Sequence, residues 1–449
     1  MRSGCWVGCI LLCLLSLRCF AQTAPQQAVT GAQPGGPLII TLDEAIRRAQ
    51  TNEPNFAAAR AEAKATALDR SISRAALLPN AVYHNQFLYT QGTAGTIPVD
   101  GNQTTSPIFI ANNAVHEYTS QAAVTETIGL RGVADVRLAD ATSARAAAEY
   151  EVARRGLVAT VVGLYYMLSA SEHKVTVAER AANEAASFTD LTSKREAARE
   201  VAHADVVKAQ LLQQQRERDL ADARLAADRA RLELGVLLFP DPRTSYSTES
   251  TQLPVMPSRA DVEARASSHN PELKSALAAV RMSDAEVLGA RAAYLPDLAL
   301  NFNYGIDATQ FATKGPNGVN NLGYSASATV DIPVWDWLAT PHRVKQTEIR
   351  RDAARVALTA TQRRLIAALE EAYAEAAEAQ RQAASLELSA TTAAESLRLT
   401  KLRYTAGEAT ALEVVDAQTS LTAAENARED GVVRYETGLA NLQTLTGTL

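Results

Sequence analysis

Residues 41–87 read TLDEAIRRAQTNEPNFAAARAEAKATALDRSISRAALLPNAVYHNQF, and residues 258–302 read SRADVEARASSHNPELKSALAAVRMSDAEVLGARAAYLPDLALNF. The second stretch repeats the first 217 positions later, and each copy places two prolines 25 residues apart. A solenoid repeat has only about 20–50 residues, whereas this one has about 200. The sequence therefore predicts a duplicated architectural unit.

Each copy opens with two short helices. Thr41-Leu42-Asp43-Glu44 has the capping-box pattern, and Ser258 and Asp261 repeat it with a shorter acid. Pro54 suits the first position of a second helix, and in the second copy Asn270 suits the cap before the matching proline. We expect the two helices of each copy to lie in line and to end before the second proline.

After that proline, apolar residues alternate with polar ones. Residues 297–334 contain two such strands, and residues 80–128 contain two less regular ones joined by a long polar loop from Gln91 to Asn113. Strands of about 10 to 12 residues with one apolar face match a transmembrane β-barrel, although a soluble β-sandwich alternates too. Four strands are too few to close a barrel. We therefore expect strands from other chains to complete it.

The segments that follow the hairpins are rich in alanine and poor in glycine and proline, which favours long helices. Ala134–Arg195 and His342–Tyr404 would span about 93 and about 95 Å as single helices. The return arms, Asp205–Gly235 and Glu413–Thr446, are half as long. Small alanines at the apolar positions permit close helix packing around a tube rather than a solid core.

The N-terminus has the pattern of a secretory signal peptide. Arg2 precedes the apolar stretch Val7–Leu17, and Cys19-Phe20-Ala21 is a small-x-small cleavage site. Arg18 before Cys19 disfavours a lipoprotein signal. The predicted segments are a signal peptide at residues 1–21, a flexible leader at 22–40, repeat 1 at 41–238, a linker at 239–257 and repeat 2 at 258–449.

Composition argues against several classes of function. The formal net charge of −6 disfavours nucleic acid as a partner. All four cysteines lie inside the predicted signal peptide, so disulfides and cysteine metal sites are not expected in the mature chain. The six histidines are scattered without metal-ligand spacing, and no glycine-rich phosphate loop follows a strand. We expect no enzyme activity, no cofactor and no metal site.

Ordered sequence motifs carry a family resemblance. The helix-to-strand junctions read Ala76-Leu77-Leu78-Pro79 and Ala293-Tyr294-Leu295-Pro296, residues 330–336 read VDIPVWD, and residues 401–417 read KLRYTAGEATALEVVDA. Over essentially the whole mature chain, the sequence resembles the TolC-type outer membrane efflux proteins. The resemblance implies a mixed α and β fold, with a homotrimer that forms a 12-stranded outer membrane β-barrel from four strands per chain. A long periplasmic α-helical tunnel would continue the barrel.

The same resemblance implies a function. It predicts a passive exit channel of a tripartite efflux or type I secretion system, embedded in outer membrane lipid. A periplasmic adaptor (membrane fusion protein) would connect it to an inner-membrane pump. The alternative is a periplasmic coiled-coil scaffold or adaptor without a pore, against which the four alternating strands argue.

Three residues are candidates for a constriction at the periplasmic end. Glu413 and Asp416 are three apart and share a helix face, and the resemblance implies that acids here line the narrowest point. It also implies that Tyr404 belongs to a network that holds the entrance closed. Ala409 stands where the family often has an arginine, so a latch built on that arginine is not expected. The alternative for both acids is a plain preference for the helix N-terminus.

The two helix-to-helix turns are candidates for adaptor docking. Gly407 suits the positive φ that stops a long helix, and Glu408 and Ala409 follow it. The matching turn of the first copy contains Arg199 and Glu200 and has no glycine.

Two tryptophans follow the last strand. Trp335 and Trp337 lie where strand meets helix, a depth at which interfacial aromatic side chains anchor membrane proteins. Packing in the core of the junction between barrel and tunnel is the alternative.

Overall fold

The computed structural model describes residues 38–89, 96–99, 102–105, 116–249, 255–315 and 318–447. The predicted signal peptide and most of the predicted leader lie outside the described residues. So do residues 250–254 of the predicted linker and most of the predicted loop from Gln91 to Asn113.

Among the described residues, the first half of the chain contains four helices and six strands. In each half of the chain, the long helix that follows the strands extends beyond both of its predicted ends. In order, the elements are β1 (Leu38–Ile40), α1 (Leu42–Asn52), α2 (Pro54–Ala75), β2 (Asn80–Tyr89), β3 (Thr96–Val99), β4 (Asn102–Thr105), β5 (His116–Ile128), α3 (Leu130–Ala197), α4 (His203–Leu238) and β6 (Tyr246–Thr248).

The second half repeats this order with two strands. The described part of its hairpin contains no counterpart of the β3–β4 pair, and β1 and β6 form a separate two-stranded sheet. The elements are α5 (Arg259–His269), α6 (Pro271–Ala292), β7 (Asp297–Ala308), β8 (Leu322–Asp331), α7 (Ala339–Thr405) and α8 (Ala411–Thr446).

The opening helices begin at the predicted caps, but the predicted capping box at Thr41 is wrong. Thr41 Oγ1 accepts a hydrogen bond from the Glu44 amide at 3.3 Å. The Glu44 carboxylate does not return it, because it accepts hydrogen bonds from Arg47 and Arg48. The Asn270 cap is confirmed, since its Oδ1 accepts a hydrogen bond from the Leu273 amide at 2.8 Å.

Four strands form one antiparallel sheet in the order β2-β5-β7-β8. The central β5–β7 pair joins the hairpins of the two copies. Tyr83, Ala122, Tyr304 and Tyr324 stand opposite one another across the four strands, so the apolar residues of both copies share a face. The prediction of a polar loop without strands between β2 and β5 is wrong, because β3 and β4 pair within it.

The two long helices set the dimensions of the helical part. With 68 and 67 residues, α3 and α7 are about 102 and about 100 Å long. The opening helices meet the ends of the 36-residue return helices α4 and α8 through similar contacts at neighbouring positions of the two repeats. Asn52 Nδ2 donates to the Leu238 carbonyl at 2.6 Å, and Asn270 Nδ2 donates to the Leu445 carbonyl at 3.2 Å.

The largest buried cluster lies where α1, α3, α4 and the β1–β6 sheet meet. Tyr165 is fully buried there and its hydroxyl donates to the Ile40 and Glu249 carbonyls. Leu168, Leu234 and several alanines complete the cluster. Away from this cluster, alanine dominates the buried positions of the long helices, which lets the helix axes approach closely.

Candidate functional site

The ends of the two long helices share one backbone motif. At the α3–α4 turn (residues 198–202), the Arg199 amide donates to the Glu196 carbonyl at 2.8 Å and the Glu200 amide donates to the Arg195 carbonyl at 2.9 Å. This pair of hydrogen bonds is a Schellman motif, whose key residue adopts positive φ. Arg199 has φ of 63°, in the left-handed region that costs a non-glycine residue about 1–2 kcal/mol.

The α7–α8 turn (residues 406–410) has the same pair of bonds. The Gly407 amide donates to the Tyr404 carbonyl at 3.1 Å, and the Glu408 amide donates to the Arg403 carbonyl at 2.9 Å. Gly407 has φ of 79°, as predicted for the residue that stops the long helix. Arg199 in the first copy therefore occupies the position that Gly407 has in the second.

The helices that leave the turns begin differently. Thr410 and Glu413 form a full capping box at the start of α8. The Thr410 amide and hydroxyl donate to Glu413 Oε1 at 3.1 and 3.2 Å, and Thr410 Oγ1 accepts from the Glu413 amide at 3.3 Å. At the start of α4, Ala202 occupies the cap position and supplies no side-chain hydrogen bond.

Arg195 of α3 joins the two helical hairpins at this end. Its Nη1 donates to the Tyr404 carbonyl and its Nη2 to the Thr405 carbonyl, both at 2.8 Å. Its guanidinium also lies 4.9 Å from the centre of the Tyr404 ring and 3.4 Å from Glu200. A cation at a helix C-terminus is favoured by the helix dipole, so Arg195 stabilises the end of α7 from the neighbouring hairpin.

Tyr404 lies buried beside this link. It is 3% exposed and packs 5.3 Å from the Phe188 ring, and its hydroxyl lies 3.5 Å from Thr192 Oγ1. Lys401, one turn earlier, pairs with Glu184 of α3 at 3.0 Å. The contacts of Tyr404 thus tie α7 to α3 within one chain.

The two candidate acids differ in their surroundings. Glu413 caps its helix and also lies 3.4 Å from Arg403. The hydrogen bond from the Thr410 amide lowers the pKa of Glu413, so the carboxylate is charged at neutral pH. Asp416 lies one turn later on α8 and is exposed. This geometry fits the alternative role for Glu413, a preference of acids for a helix N-terminus.

The predicted docking residues lie at the surface of the two turns. Arg199, Glu200, Gly407 and Glu408 are exposed, and Ala409 is half-buried against the cluster around Tyr404. The sequence prediction missed Arg195 and Thr410. Thr410 carries a recognisable signal, because Thr-x-x-Glu before an apolar run is the capping-box pattern. Arg195 carries none, since its partners are backbone carbonyls 209 and 210 positions away.

Trp335 and Trp337 lie between β8 and α7. Their rings meet edge to face at 5.8 Å, and they are 69% and 83% exposed. Trp337 and Leu338 both have positive φ, 54° and 66°, which turns the backbone sharply into α7. Core packing, the alternative role for these tryptophans, does not occur within the described part of one chain.

None of the described helices combines the length and the apolar character needed to span a bilayer. The same residues include no cluster of three or more histidine, cysteine or acidic side chains with metal-site geometry.

Solved structures share this fold. The CmeC outer membrane channel of Campylobacter jejuni matches with a TM-score of 0.74 and 16% identity, over 91% of this chain and 85% of that chain. VceC of Vibrio cholerae matches with a TM-score of 0.74 and 17% identity, over 90% and 96%. The open state of MtrE from Neisseria gonorrhoeae matches with a TM-score of 0.71 and 19% identity, over 90% and 88%.

Sequence comparison identifies the family. Outer membrane protein OprJ of Pseudomonas aeruginosa is 26% identical over 172 residues, which cover 38% of this chain and only 36% of that protein. The model of the family described as outer membrane efflux protein matches residues 45–238 and 264–448, one segment in each repeat. The chain therefore belongs to the outer membrane efflux protein family and is an outer membrane protein.

Proposed function

We propose that three copies of this chain form a passive exit channel. Each copy would give four strands to a 12-stranded barrel in the outer membrane, and the helices would continue it as a periplasmic tunnel. The channel would serve a tripartite efflux or type I secretion system, in which an inner-membrane pump supplies the energy. The observation that carries the proposal is a sheet with two open edges above helices of about 100 Å.

The sheet supports a barrel built from several chains. Within the described residues, β2 and β8 each pair with one strand only, and a free strand edge normally has to be covered. Tyr83, Tyr304 and Tyr324 on its apolar face are 67%, 50% and 77% exposed. Three sheets joined from β8 to β2 would cover all edges and turn this face towards lipid.

The helices support a tunnel wall shared between chains. Val207, Leu211 and Leu225 of α4 are 49%, 62% and 49% exposed, at spacings of four and fourteen residues. Ile349 and Val356 of α7, seven residues apart, are 59% and 70% exposed. Apolar stripes at these spacings are typical of helices that pack against further helices, which neighbouring copies would supply.

The periplasmic adaptor would dock on the α3–α4 and α7–α8 turns. Both turns are exposed loops at the end of a rigid helical pair, as protein-binding segments often are. Arg199 and Glu200 in one turn and Glu408 in the other offer charged contacts.

Glu413 and Asp416 would make the mouth selective for cations. Three chains would place six carboxylates around a narrow opening, which concentrates negative potential there. The double variant E413Q/D416N removes the charges, and glutamine at position 413 can still accept the cap hydrogen bond. We expect it to lose cation selectivity and block by multivalent cations in planar bilayers. Unchanged selectivity would show that these acids do not line the pore.

Particle mass tests the proposal against a scaffold without a pore. The full chain is expressed with its signal, the outer membrane is extracted with mild detergent, and mass is determined by light scattering corrected for detergent. We expect about three times the chain mass in the outer membrane fraction. A soluble periplasmic monomer or dimer would favour the scaffold.

A further inference from the structure

The contact between α3 and α8 joins the two repeats through a row of polar pairs. The helices run antiparallel, and the α3 members of the row are spaced seven residues apart, so they share one face. Each α3 member meets a glutamate of α8. The pairs are Tyr166 with Glu436, His173 with Glu429, and Arg180 with Glu425.

Glu436 lies buried in this row without a cationic partner. It is 3% exposed, Tyr166 hydrogen-bonds its carboxylate, and its Oε1 has no hydrogen-bond partner among the described residues. Tyr435 of its own helix is the other titratable group that interacts with it. Arg434, the adjacent base, donates instead to Gln382 of α7 at 2.9 Å. Burial raises the pKa of Glu436 to about 7.

His173 forms the next pair, one heptad further along α3. Its Nδ1 lies 3.0 Å from Glu429 Oε2, and the Glu429 side chain is only 6% exposed. The hydrogen bond to Glu429 raises the pKa of His173, with a smaller contribution from Glu172. Arg428 binds the other oxygen of Glu429 at 2.7 Å and lies 3.7 Å from Glu387 of α7.

We propose that the α3–α8 contact is a proton-dependent joint, tight when Glu436 and His173 both carry a proton and looser when both have lost it. Loss of the Glu436 proton leaves a buried carboxylate without a cation, and loss of the His173 proton removes the ion pair with Glu429. Both losses weaken the contact, although Glu436 becomes charged and His173 becomes neutral.

The pH window follows from the two raised pKa values. The free carboxyl titrates at 4.5, so the stability gained from holding its proton is complete below that pH and is lost as pH rises to about 7. The histidine contribution is complete below 6.5 and is lost above it. The joint therefore weakens between about pH 5 and pH 8. In the exit channel, a step that rests on the proposed function, this would let the α7–α8 hairpin shift and raise the open fraction.

Hydrogen exchange on the full chain in detergent tests the joint. Amides of residues 425–440 are followed at pH 5.5 and 8.0, with rates corrected for intrinsic exchange. We expect protection to fall at least about tenfold at the higher pH. Glu436→Gln, which mimics the protonated acid, should reduce this fall, and Glu371→Gln at an exposed position of α7 should not. An unchanged pH dependence in Glu436→Gln would overturn the joint.

A second measurement keeps the inference testable if Glu436→Gln does not fold. Infrared spectra of the unaltered protein should show a protonated carboxyl band that disappears with a midpoint near pH 7. The lack of such a band would overturn the joint. Neither readout depends on a pore, so pH-dependent exchange in a protein that conducts no current would leave the joint intact and refute the channel.

Discussion

The α3–α4 and α7–α8 turns follow the same backbone path with different side chains. Gly407 adopts positive φ at little cost in one, whereas Arg199 adopts it with strain in the other. Thr410 and Glu413 cap the helix after one turn, whereas Ala202 leaves the other without a side-chain cap. Both turns share the hydrogen-bonding motif, but only the second copy combines an unstrained residue with a side-chain cap.

Arg195 reverses this asymmetry, because the first copy supplies the bond that holds the second. Its two hydrogen bonds at 2.8 Å end on carbonyls of α7. The α7–α8 turn is therefore capped by its own side chains and tied from the other hairpin, while the α3–α4 turn is held by its backbone bonds and by two exposed contacts, Arg195 with Glu200 and His203 with Glu196. We expect hydrogen exchange to be faster at residues 199–203 than at residues 407–411.

The largest expected effect comes from breaking the tie. Arg195→Ala removes two hydrogen bonds from a charged donor and the contact over Tyr404, which should destabilise the turn region by about 2–3 kcal/mol. Chemical denaturation measures the loss, and exchange at residues 400–406 should rise. Arg199→Ala, at an exposed position four residues later in the α3–α4 turn, is the control and should stay within about 0.5 kcal/mol. Equal effects of the two changes would show that Arg195 does not join the hairpins.

Exchanging the residues at the positive-φ positions tests the strain. Gly407→Ala places a Cβ where no atom lies within 4 Å, so its cost of about 1–2 kcal/mol arises from φ alone. Arg199→Gly should relieve the same strain but increase the freedom of the unfolded chain, for a net gain of about 0.5 kcal/mol. Changes of the same sign in both variants, measured by thermal unfolding, would contradict the comparison.

Exchanging the caps gives a similar but smaller pair of effects. Thr410→Ala removes the cap of α8 and should cost about 1 kcal/mol. Ala202→Ser adds the missing cap to α4 and should stabilise the protein by about 0.5–1 kcal/mol. Denaturation midpoints measured on both variants under one condition decide the matter. No gain from serine would mean that the start of α4 is held by contacts other than a cap.

The smallest effect is a pH dependence confined to the α7–α8 turn. Because the Thr410 amide lowers the pKa of Glu413 from its usual 4.5, its stabilising effect is present above pH 4.5 and is lost as pH falls below it. Exchange at residues 410–414 should therefore increase below pH 4.5. The Thr410→Ala variant removes the hydroxyl but keeps the amide, so it should retain part of this dependence. An exchange rate independent of pH would contradict the role of the carboxylate.

Much of the fold follows from the sequence alone. Alternating residues such as Leu300 and Phe302 predicted the strands, and the Ala-rich segments predicted the long helices because propensity sums over many turns. The β3–β4 pair was missed because its polar residues carry no apolar alternation. Helix ends were placed a few residues short, since caps such as Thr410 decide them locally.

The candidate site was predictable only in part. Gly407 was found because positive φ selects glycine, but Arg199 in the same conformation gives no such signal. Arg195 was missed because its partners are backbone groups distant in sequence, which only the folded arrangement of the two helical hairpins brings within its reach.

A structure of the detergent-extracted particle by electron cryomicroscopy tests the central claim most directly. The proposed channel requires 12 strands in a closed barrel, with β2 of one chain hydrogen-bonded to β8 of the next. It also requires the α7–α8 turns of three chains around one opening. A particle in which β2 and β8 stay unpaired, or in which one chain closes its own sheet, would contradict the proposed exit channel.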